Sequence, residues 1–288
     1  MGNFQLESIQ LSEKLTHSPQ EILADGRLRR AQLKMLEMLT IIDSICVKYQ
    51  IDYWLDAGTL LGAIRHQGFI PWDDDMDIAM PRESYEKFLQ VAPLELPAHM
   101  HLQQAGIEPG YYNLGTPLKI RDRSSYYLER HEKGNEPYVQ GIFIDIFVYD
   151  KMTTIPWKRR FYKRLSRKCL RMLGTKHSLL PMGRSHNLYR TLGYIFPKAV
   201  LNKALNYLVS MSKKIDSPYL GRGYHCKKVT LIEFTEVYPL KRALFENRYF
   251  NIPNKAESIL SKEYGDYQTL PPESERTLRH CIKLITEV

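Results

Sequence analysis

Cysteine is scarce in this chain, and its spacing excludes two common kinds of site. The 288 residues include four cysteines, Cys46, Cys169, Cys226 and Cys281, which lie far apart and form no CxxC pair. Zinc sites and small disulfide-bonded domains normally show closely paired spacings. We therefore expect reduced thiols in the core.

Long apolar runs are also missing. No run approaches the roughly 18 residues that would span a bilayer, and the first eight residues have neither the basic start nor the apolar core of a signal peptide. Leu6 occupies the position where N-myristoylation requires Ser or Thr. Hydrophobic residues make up 43% and charged residues 25% of the chain, which is ordinary globular usage. The sequence predicts a cytoplasmic globular protein.

Acidic residues are nearly absent from the middle of the chain. Residues 151–228 contain 19 Lys or Arg and one acid, Asp216, for a net charge of +18, whereas the remainder carries −9. Within this segment, residues 157–173 hold eight cations and an apolar stripe with a spacing of four, formed by Trp157, Phe161, Leu165, Cys169 and Leu173. A basic amphipathic helix of this kind suits an anionic membrane surface. We predict peripheral attachment to the inner face of the membrane, with direct binding of a polyanionic acceptor as the alternative.

Periodicity and turn residues predict a chain of mixed helices and strands. Helices are expected at 19–25, 27–49, 59–65, 81–92, 157–173, 198–214 and 254–265, the last with a capping box of Asn254 and Glu257. Strands are expected at 53–55, 73–79, 115–120 and 141–149, with hairpin-like runs around 229–252. No internal repeat or low-complexity segment interrupts them.

The most informative stretch is DAGTLLGAIRHQGFIPWDDDMDI, from Asp56 to Ile78. A short apolar strand precedes it, and Gly58 and Thr59 then begin a helix whose backbone N–H groups can hold a phosphate. A strand followed by such a turn positions a glycine-containing loop close to a bound anion. The stretch therefore predicts a phosphate site at the start of this helix.

Four of the five residues at 73–77 are aspartates. Such a cluster is tolerated best with a cation beside it. On a strand, Asp73, Asp75 and Asp77 would point to one face and Asp74 to the other. Carboxylate oxygens alone favour Mg²⁺ or Mn²⁺, so this segment predicts a metal site; a solvated acidic loop is the alternative.

A further acid, Asp145, interrupts the apolar run 142–148. Such a run is typical of a strand covered on both faces. An aspartate there is costly to bury unless it is paired or bound to a metal. Asp145 is therefore a candidate third member of the same site.

A strand ending in glycine and a small hydroxyl residue, a carboxylate pair two apart and one later acid resemble the nucleotidyltransferase superfamily pattern. GTLLGAIRH followed by GFIPWDDDMDI is similar to the signature of the LicD family, which includes phosphocholine transferases and is related to the fukutin-type phosphoribitol transferases. Residues 119–122, 141–147 and 245–280 resemble the family as well, so the likeness covers about 28–150 and 229–280.

The resemblance implies transfer of a phosphorylated alcohol, such as phosphocholine, from its CDP-activated donor to a hydroxyl of a glycan acceptor. The acceptor would be a teichoic acid, lipopolysaccharide or capsule precursor, and a lipid-linked one would suit a membrane-bound enzyme. The expected fold is α+β and nucleotidyltransferase-like, a small mixed sheet flanked by helices. Residues 1–150 would form the catalytic core, 151–228 a basic helical insertion and 229–288 a segment completing the catalytic domain.

Under this resemblance, Asp75 and Asp77 are the predicted metal ligands, and Asp73 is a weaker candidate. Asp145 would be either a third ligand or the base that accepts the proton of the acceptor hydroxyl. Metal ions bridging the two donor phosphates would stabilise the charge that spreads over the phosphoryl oxygens.

Substrate contacts are assigned to residues around these acids. Gly58 and Thr59 would hold the donor phosphates, and Lys119 would pair with them as a point charge. Arg65 and His66 follow on the same helix and would face phosphate, although a structural hydrogen bond suits His66 equally well.

Trp72 lies next to the acids, and its ring is a candidate contact for the quaternary ammonium of choline. Packing in the core is the alternative for this side chain. Phosphoribitol, phosphoglycerol or phosphoethanolamine transfer is the competing activity on the same scaffold. A nucleic-acid-binding nucleotidyltransferase is a further alternative, disfavoured by the acidic remainder of the chain and the lack of any nucleic-acid motif.

Overall fold

The computed structural model describes residues 19–104, 107–111, 118–176, 184–223 and 230–287, which fold into mixed α/β structure. Its helices are α1 (Pro19–Ala24), α2 (Arg27–Lys48), α3 (Ala57–Arg65), α4 (Arg82–Glu95), α5 (Pro156–Lys176), α6 (Arg184–Ile195), α7 (Lys198–Lys213), α8 (Phe234–Val237) and α9 (Ala256–Tyr264), and a 3₁₀ turn spans Glu273–Glu275. Its strands are β1 (Trp54–Leu55), β2 (Asp77–Pro81), β3 (Met100–Gln104), β4 (Leu118–Asp122), β5 (Tyr126–Glu129), β6 (Phe143–Lys151), β7 (Tyr219–Arg222), β8 (Ile232–Glu233), β9 (Lys241–Phe245), β10 (Arg248–Ile252) and β11 (Cys281–Ile285).

The main sheet is built around β6. Its strand order is β1-β2-β6-β4-β3, and β7 pairs with the last residues of β6 and with β8. The pairing of β2 with β6 is parallel, and the other pairings are antiparallel. Ile142, Ile144, Ile146 and Val148 are all buried, as expected of a strand covered on both faces. The predicted combination of helices with a mixed β-sheet is thus confirmed.

Parallel pairing of β2 with β6 sets the geometry of the site. Asp77 is the register partner of Asp145, and the N–H of Asp145 donates to the carbonyl of Met76 at 2.8 Å. Side chains of register partners stand on the same face of a sheet. Two acids that are 68 positions apart in the sequence therefore stand side by side.

Strand β2 begins later than predicted. Residues 73–76 are irregular, and regular pairing starts only at Asp77. Side chains bind the carbonyls that a strand would offer: Gln32 Nε2 donates to the carbonyl of Asp73 at 3.0 Å, and the Tyr127 hydroxyl donates to that of Asp74 at 2.9 Å. The prediction of a strand over 73–79 is wrong for its first half.

Two helix ends also differ from the predictions. Helix α4 continues through Pro93 to Glu95, because a proline so close to the C-terminal end disturbs little of the helical hydrogen bonding. Helix α9 begins at Ala256 without a capping box of Asn254 and Glu257. The Asn254 side chain donates instead to backbone carbonyls at 235 and 238.

Most other predicted elements are confirmed. Helices α1, α2, α3, α5 and α7, strands β1 and β6, and the β9–β10 hairpin all form where patterns in the sequence placed them. Strand β4 includes the end of the predicted run 115–120, whose first residues lie outside the described part of the chain. Sequence patterns did not predict α6, β3, β5, β7 or β11.

Helices α5 to α7 have a small core of their own. Cys169, Met172, Leu173 and Leu201 form a buried cluster separate from the main core. The following strand β7 belongs to the main sheet, because its Arg222 pairs with Tyr149 of β6. The helical part of the basic segment is thus attached to the sheet at both ends.

The apolar stripe of α5 divides between two environments. Trp157 and Phe161 are 66% and 56% exposed, whereas Cys169 and Leu173 are buried. Each step of four residues advances about 40° beyond a full turn, so residues 157 and 173 lie about 160° apart around the helix. Intervals of four therefore do not keep one face, and the prediction of a single continuous stripe is wrong.

The thiols and the helices agree with the sequence within the described residues. Cys46, Cys169 and Cys281 are free and buried, while Cys226 lies outside the described ranges. None of the described helices combines the length and apolarity that crossing a membrane requires.

Candidate active site

A buried aspartate fixes the turn that opens the site. Asp56 follows β1, and its carboxylate accepts hydrogen bonds from the Tyr149 hydroxyl at 3.1 Å and from Arg222 Nε at 2.9 Å. Ala57 then adopts φ of +46° as α3 begins, a conformation unfavourable for a residue with a Cβ. Strands β6 and β7 thus hold the strained turn in place, as is common at functional sites.

The first turn of α3 is fastened to the acidic segment. The N–H of Asp77 donates to Thr59 Oγ1 at 2.8 Å, and Thr59 is buried. A Cβ on Gly58 would lie 2.9 Å from Asp73 Oδ2, so only glycine allows Asp73 to approach the helix this closely. Gly58 and Thr59 therefore adjoin the acids as predicted, while their contact with donor phosphate stays a prediction.

The four neighbouring aspartates separate into two roles. Asp74 is buried, and its carboxylate accepts the backbone N–H groups of residues 279, 280 and 281 at 3.3, 2.9 and 2.7 Å. Asp75 lies close enough to Asp73 and Asp77 to raise the pKa of both. The prediction that Asp74 points away from Asp73, Asp75 and Asp77 therefore holds although residues 73–76 form no strand. Asp74 anchors the C-terminal segment, and the other three form an acidic group.

Burial and mutual repulsion raise the pKa of every carboxyl in this group. Burial is the largest cause at Asp73 and Asp77, whose pKa values lie well above the usual range, and Asp75 adds to both. The pKa of Asp75 rises to about 6, again chiefly through burial, although His280 opposes the shift. Burial also raises the pKa of Asp145. Oxygen donors that repel one another in a buried site fit a hard divalent cation, which would favour their ionised forms.

The described residues contain two groups of possible ligands whose atoms lie closer together, and one of these groups shares Asp75 with the predicted set. Asp74, Asp75 and His280 have ligand atoms within 4.8 Å of one another, as do Glu129, His131 and Glu132. Asp74 is saturated by backbone N–H groups, and the two glutamates are paired with buried cations. The ligand atoms of Asp75, Asp77 and Asp145 do not form such a group within 4.8 Å. Neighbouring acids nevertheless raise the pKa of Asp75 and Asp77, and a cation would offset that repulsion.

Lys119 lies behind this group and is buried. Its Nζ stands 2.8 Å from Asp145 Oδ1 and 3.0 Å from Glu129 Oε1, and it lies 3.4 Å from the centroid of the Phe143 ring. Both of these ion pairs are with protein carboxylates, and the pairing of Lys119 with donor phosphate stays a prediction. Its position makes it the charge partner of Asp145.

Two predicted substrate residues, Arg65 and His66, line the side of the site near Asp73. Arg65 Nη1 donates to the carbonyl of Tyr267 at 2.7 Å, and Asp73 is an electrostatic neighbour of its guanidinium. The pKa of His66 is lowered, first by burial and then by Arg65, so His66 is held in its neutral form. These positions agree with a role at a phosphate, which stays a prediction for both residues.

Trp72 already has a cation against its ring. The guanidinium of Arg276 lies 5.3 Å from the ring centroid, the His66 ring contacts Trp72 edge-on at 6.3 Å, and Trp72 also packs against the main core. A quaternary ammonium on the same face would have to displace Arg276. The choline contact of Trp72 therefore stays a prediction, and Arg276 already lies against one face of the ring.

Two residues of the site were missed by sequence reasoning. His280 Nε2 lies 3.1 Å from Asp75 Oδ2, and the His280 side chain is 47% exposed. Arg222 lowers the pKa of Asp77 while pairing with Asp56. Asp74, which accepts the backbone N–H groups beside His280, belongs to the acidic motif. No local pattern in the sequence indicates that the segment around His280 is its partner.

The acidic group predicts how stability depends on pH without metal. Between its ordinary pKa of 3.8 and its raised pKa of about 6, Asp75 binds more protons in the folded than in the unfolded chain. The free energy of unfolding in EDTA should therefore fall as pH rises from 4 to 6. Glu129, with its pKa lowered to about 2, acts mainly below this window.

Urea unfolding at intervals of half a pH unit would measure this effect. Asp75→Asn should show a shallower fall than the parent chain over the same window, and Asp216→Asn, an exposed acid far from the motif in sequence, should match the parent. A stability that rises through the window equally in all three proteins would contradict the repulsion assigned to the acids.

Comparisons with known proteins agree with the geometry. A family model described as LicD/FKTN/FKRP, nucleotidyltransferase domain, matches residues 50–182, which contain the acidic group and Lys119. A lipopolysaccharide cholinephosphotransferase LicD of Haemophilus influenzae is 32% identical over 273 residues, which cover 88% of this chain and 96% of that protein. The ribitol 5-phosphate transferases FKRP of mouse and human are 53% identical over 30 residues, 10% of this chain and 6% of theirs.

Proposed function

The chain belongs to the LicD family of transferases, as its motifs predicted, and we propose that it transfers phosphocholine from CDP-choline to a hydroxyl of a cell-surface glycan. Likeness to the Haemophilus influenzae cholinephosphotransferase along nearly the whole of that protein supports choline as the alcohol and a lipopolysaccharide-type acceptor. Teichoic acid and capsule precursors are acceptors of the same chemistry. We place the reaction at the cytoplasmic face of the membrane, on a lipid-linked acceptor, with a nucleotidyltransferase-like fold around the site.

The juxtaposition of Asp77 and Asp145 carries the proposal. They are register partners on parallel strands. Asp145 raises the pKa of Asp75, and Asp75 raises the pKa of Asp77. We propose that these three carboxylates hold Mg²⁺ or Mn²⁺, with Asp73 as a fourth candidate. When bound, such an ion would neutralise charge that develops on the phosphoryl oxygens.

The Lys119 contact favours Asp145 as a ligand rather than a base. An ammonium 2.8 Å away stabilises the ionised carboxylate. Burial raises the pKa of Asp145, and Lys119 opposes that rise, so the contact favours the ionised form that donates oxygen to a cation over the proton acceptor that an unpaired carboxylate would be there. Of the two roles predicted for Asp145, we therefore propose the ligand.

The chain's own residues position a displacement at phosphorus. A hydroxyl oxygen of the acceptor bonds to the β-phosphorus of the donor as the bond from that phosphorus to the bridging oxygen breaks. CMP leaves with the bridging oxygen, and the proton of the hydroxyl passes to solvent. Backbone N–H groups in the first turn of α3, at Gly58 and Thr59, would hold the donor phosphates. Arg65, beside Asp73, would add a positive charge on the same side, and neutral His66 would donate or accept a hydrogen bond there.

A donor screen tests the substrate. The purified chain is incubated in Mg²⁺ with CDP-choline, CDP-ribitol, CDP-glycerol or CDP-ethanolamine and with a lipopolysaccharide or teichoic acid acceptor. We expect release of CMP and a phosphocholine mass increment on the acceptor with CDP-choline alone. The short likeness to ribitol 5-phosphate transferases makes ribitol the main competitor.

Two controls separate the parts of the proposal. Asp216→Asn should match the parent protein, because Asp216 is exposed and outside the proposed machinery. Transfer from CDP-ribitol instead of CDP-choline would keep the enzyme class and replace the alcohol. Unchanged turnover in EDTA would eliminate the metal, and release of CMP from none of the four donors would overturn the activity.

A further inference from the structure

The outer face of α5 combines aromatic and cationic side chains. Trp157 and Phe161 are 66% and 56% exposed, and Arg160, Arg164 and Lys168 are exposed with them. At 100° per residue these five side chains fall within an arc of about 100°, along about 16 Å of the helix axis. They form one continuous strip, called here the α5 surface.

Large aromatic residues gain most when their rings are buried, and a cation–π contact with Lys158, 5.7 Å from the Trp157 centroid, still leaves Trp157 mostly exposed. The opposite side of α5 already packs on α6 and α7 through Cys169, Met172 and Leu173, so the small core does not need Trp157 or Phe161. The connection from α6 to α7 exposes further apolar side chains, namely Tyr194, Ile195, Phe196 and Val200. The exposed Lys198 and Lys203 accompany them.

The charge around the α5 surface has one sign. Residues 151–228 contain a single acid, Asp216, and it lies beyond the end of α7. Mixed signs are the usual state of a solvated helix, because opposite charges three or four apart stabilise it. A helix that lacks all such partners is suited to an anionic surface outside the protein.

We propose that the α5 surface docks the protein on a bilayer rich in anionic lipid. Tryptophan and phenylalanine suit the level of the lipid headgroups, with their rings in the apolar boundary and cations among the phosphates. Each cation near such a surface strengthens partitioning about fivefold. A soluble polyanion would bind the cations but would offer no apolar layer to the two rings. Docking needs neither donor nor metal and is therefore separable from the proposed transfer.

Co-sedimentation of the full chain with vesicles tests the docking. Vesicles of phosphatidylcholine and phosphatidylglycerol in equal parts are compared with phosphatidylcholine alone, and we expect binding only to the first. The variant R160Q/R164Q/K168Q should lose about 100-fold in partitioning. The control K87Q/R248Q/K255Q, which removes three exposed cations elsewhere, should lose much less.

The aromatic pair is tested by a second variant and by fluorescence. W157A/F161A should weaken binding to the anionic vesicles about tenfold or more, whereas Y249A, another exposed aromatic, should not. A blue shift of tryptophan emission on binding should disappear in W157F. Equal losses in surface and control variants, or retention on soluble teichoic acid with no binding to vesicles, would overturn the proposal; the latter result would assign the surface to a polyanionic glycan.

Discussion

Asp77→Asn should lower the rate of transfer about a thousandfold without unfolding the protein. Asp77 lies between Asp75 and Asp145, and each of them raises its pKa. An amide keeps the shape but removes the negative charge that a divalent cation needs, and lost charge stabilisation at a transferring phosphoryl group has effects of this size. Steady-state release of CMP measures the loss.

The same substitution should have an opposite effect on the metal-free fold. Replacing a buried, repelled carboxylate with an amide removes repulsion, so Asp77→Asn in EDTA should be at least as stable as the parent chain. Saturating Mg²⁺ should raise the melting temperature of the parent but leave that of the variant nearly unchanged. Asp216→Asn should keep both the activity and the metal response.

Two results would count against the assignment. A variant that melts far below the parent in EDTA would show that Asp77 has a structural role, since its charge then stabilises the fold. A variant that keeps full turnover and a full thermal response to Mg²⁺ would remove Asp77 from the metal site altogether.

The acids of the site were predictable because their signal is local. Asp75 and Asp77 lie in a run of four aspartates whose mutual repulsion a cation would relieve. Asp145 interrupts an apolar strand, where burying an unpaired carboxylate is costly. Neither argument needs a partner from elsewhere in the chain. Both predicted segments lie in the main sheet as neighbours.

The partners of these acids were not predictable from local patterns. Asp74 binds backbone N–H groups more than 200 residues away, and any residue type has an N–H to offer. The hydrogen bond from the backbone N–H of His280 to Asp74 positions His280, and its side chain then reaches Asp75. The contacts of Lys119 were not predictable for a related reason: a lysine near acids and phosphate suits either anion, and the structure shows only its pairing with Asp145 and Glu129.

The α5 stripe shows a different limit. The sequence placed the helix correctly, but the spacing of four rotates slowly around it, so one end faces solvent and the other the small core. Deciding which end is buried requires knowing where α6 and α7 pack. Helix α6 itself was not predicted, so that information was missing from the sequence patterns.

Lys119→Met should have the largest effect on stability among the substitutions considered. Lys119 is fully buried between Asp145 and Glu129, and its pKa is raised by those carboxylates even though burial opposes the shift. Methionine fills a similar volume but leaves the buried carboxylate of Asp145 without this cation, while Glu129 keeps Arg121 as a partner. Breaking a buried ion pair in this way costs about 3–5 kcal/mol. Urea unfolding at pH 7 measures it.

A second substitution identifies the cause. In Lys119→Met with Asp145→Asn, the unpaired charge at Asp145 disappears, and Glu129 retains Arg121 as its partner. We expect the double variant to recover a substantial part of the lost free energy, because uncompensated charge rather than lost packing dominates the loss. Equal or greater destabilisation in the double variant would place the effect in packing against Phe143. Recovery would show instead that Lys119 neutralises one carboxylate permanently, which reduces the charge that a bound cation has to offset.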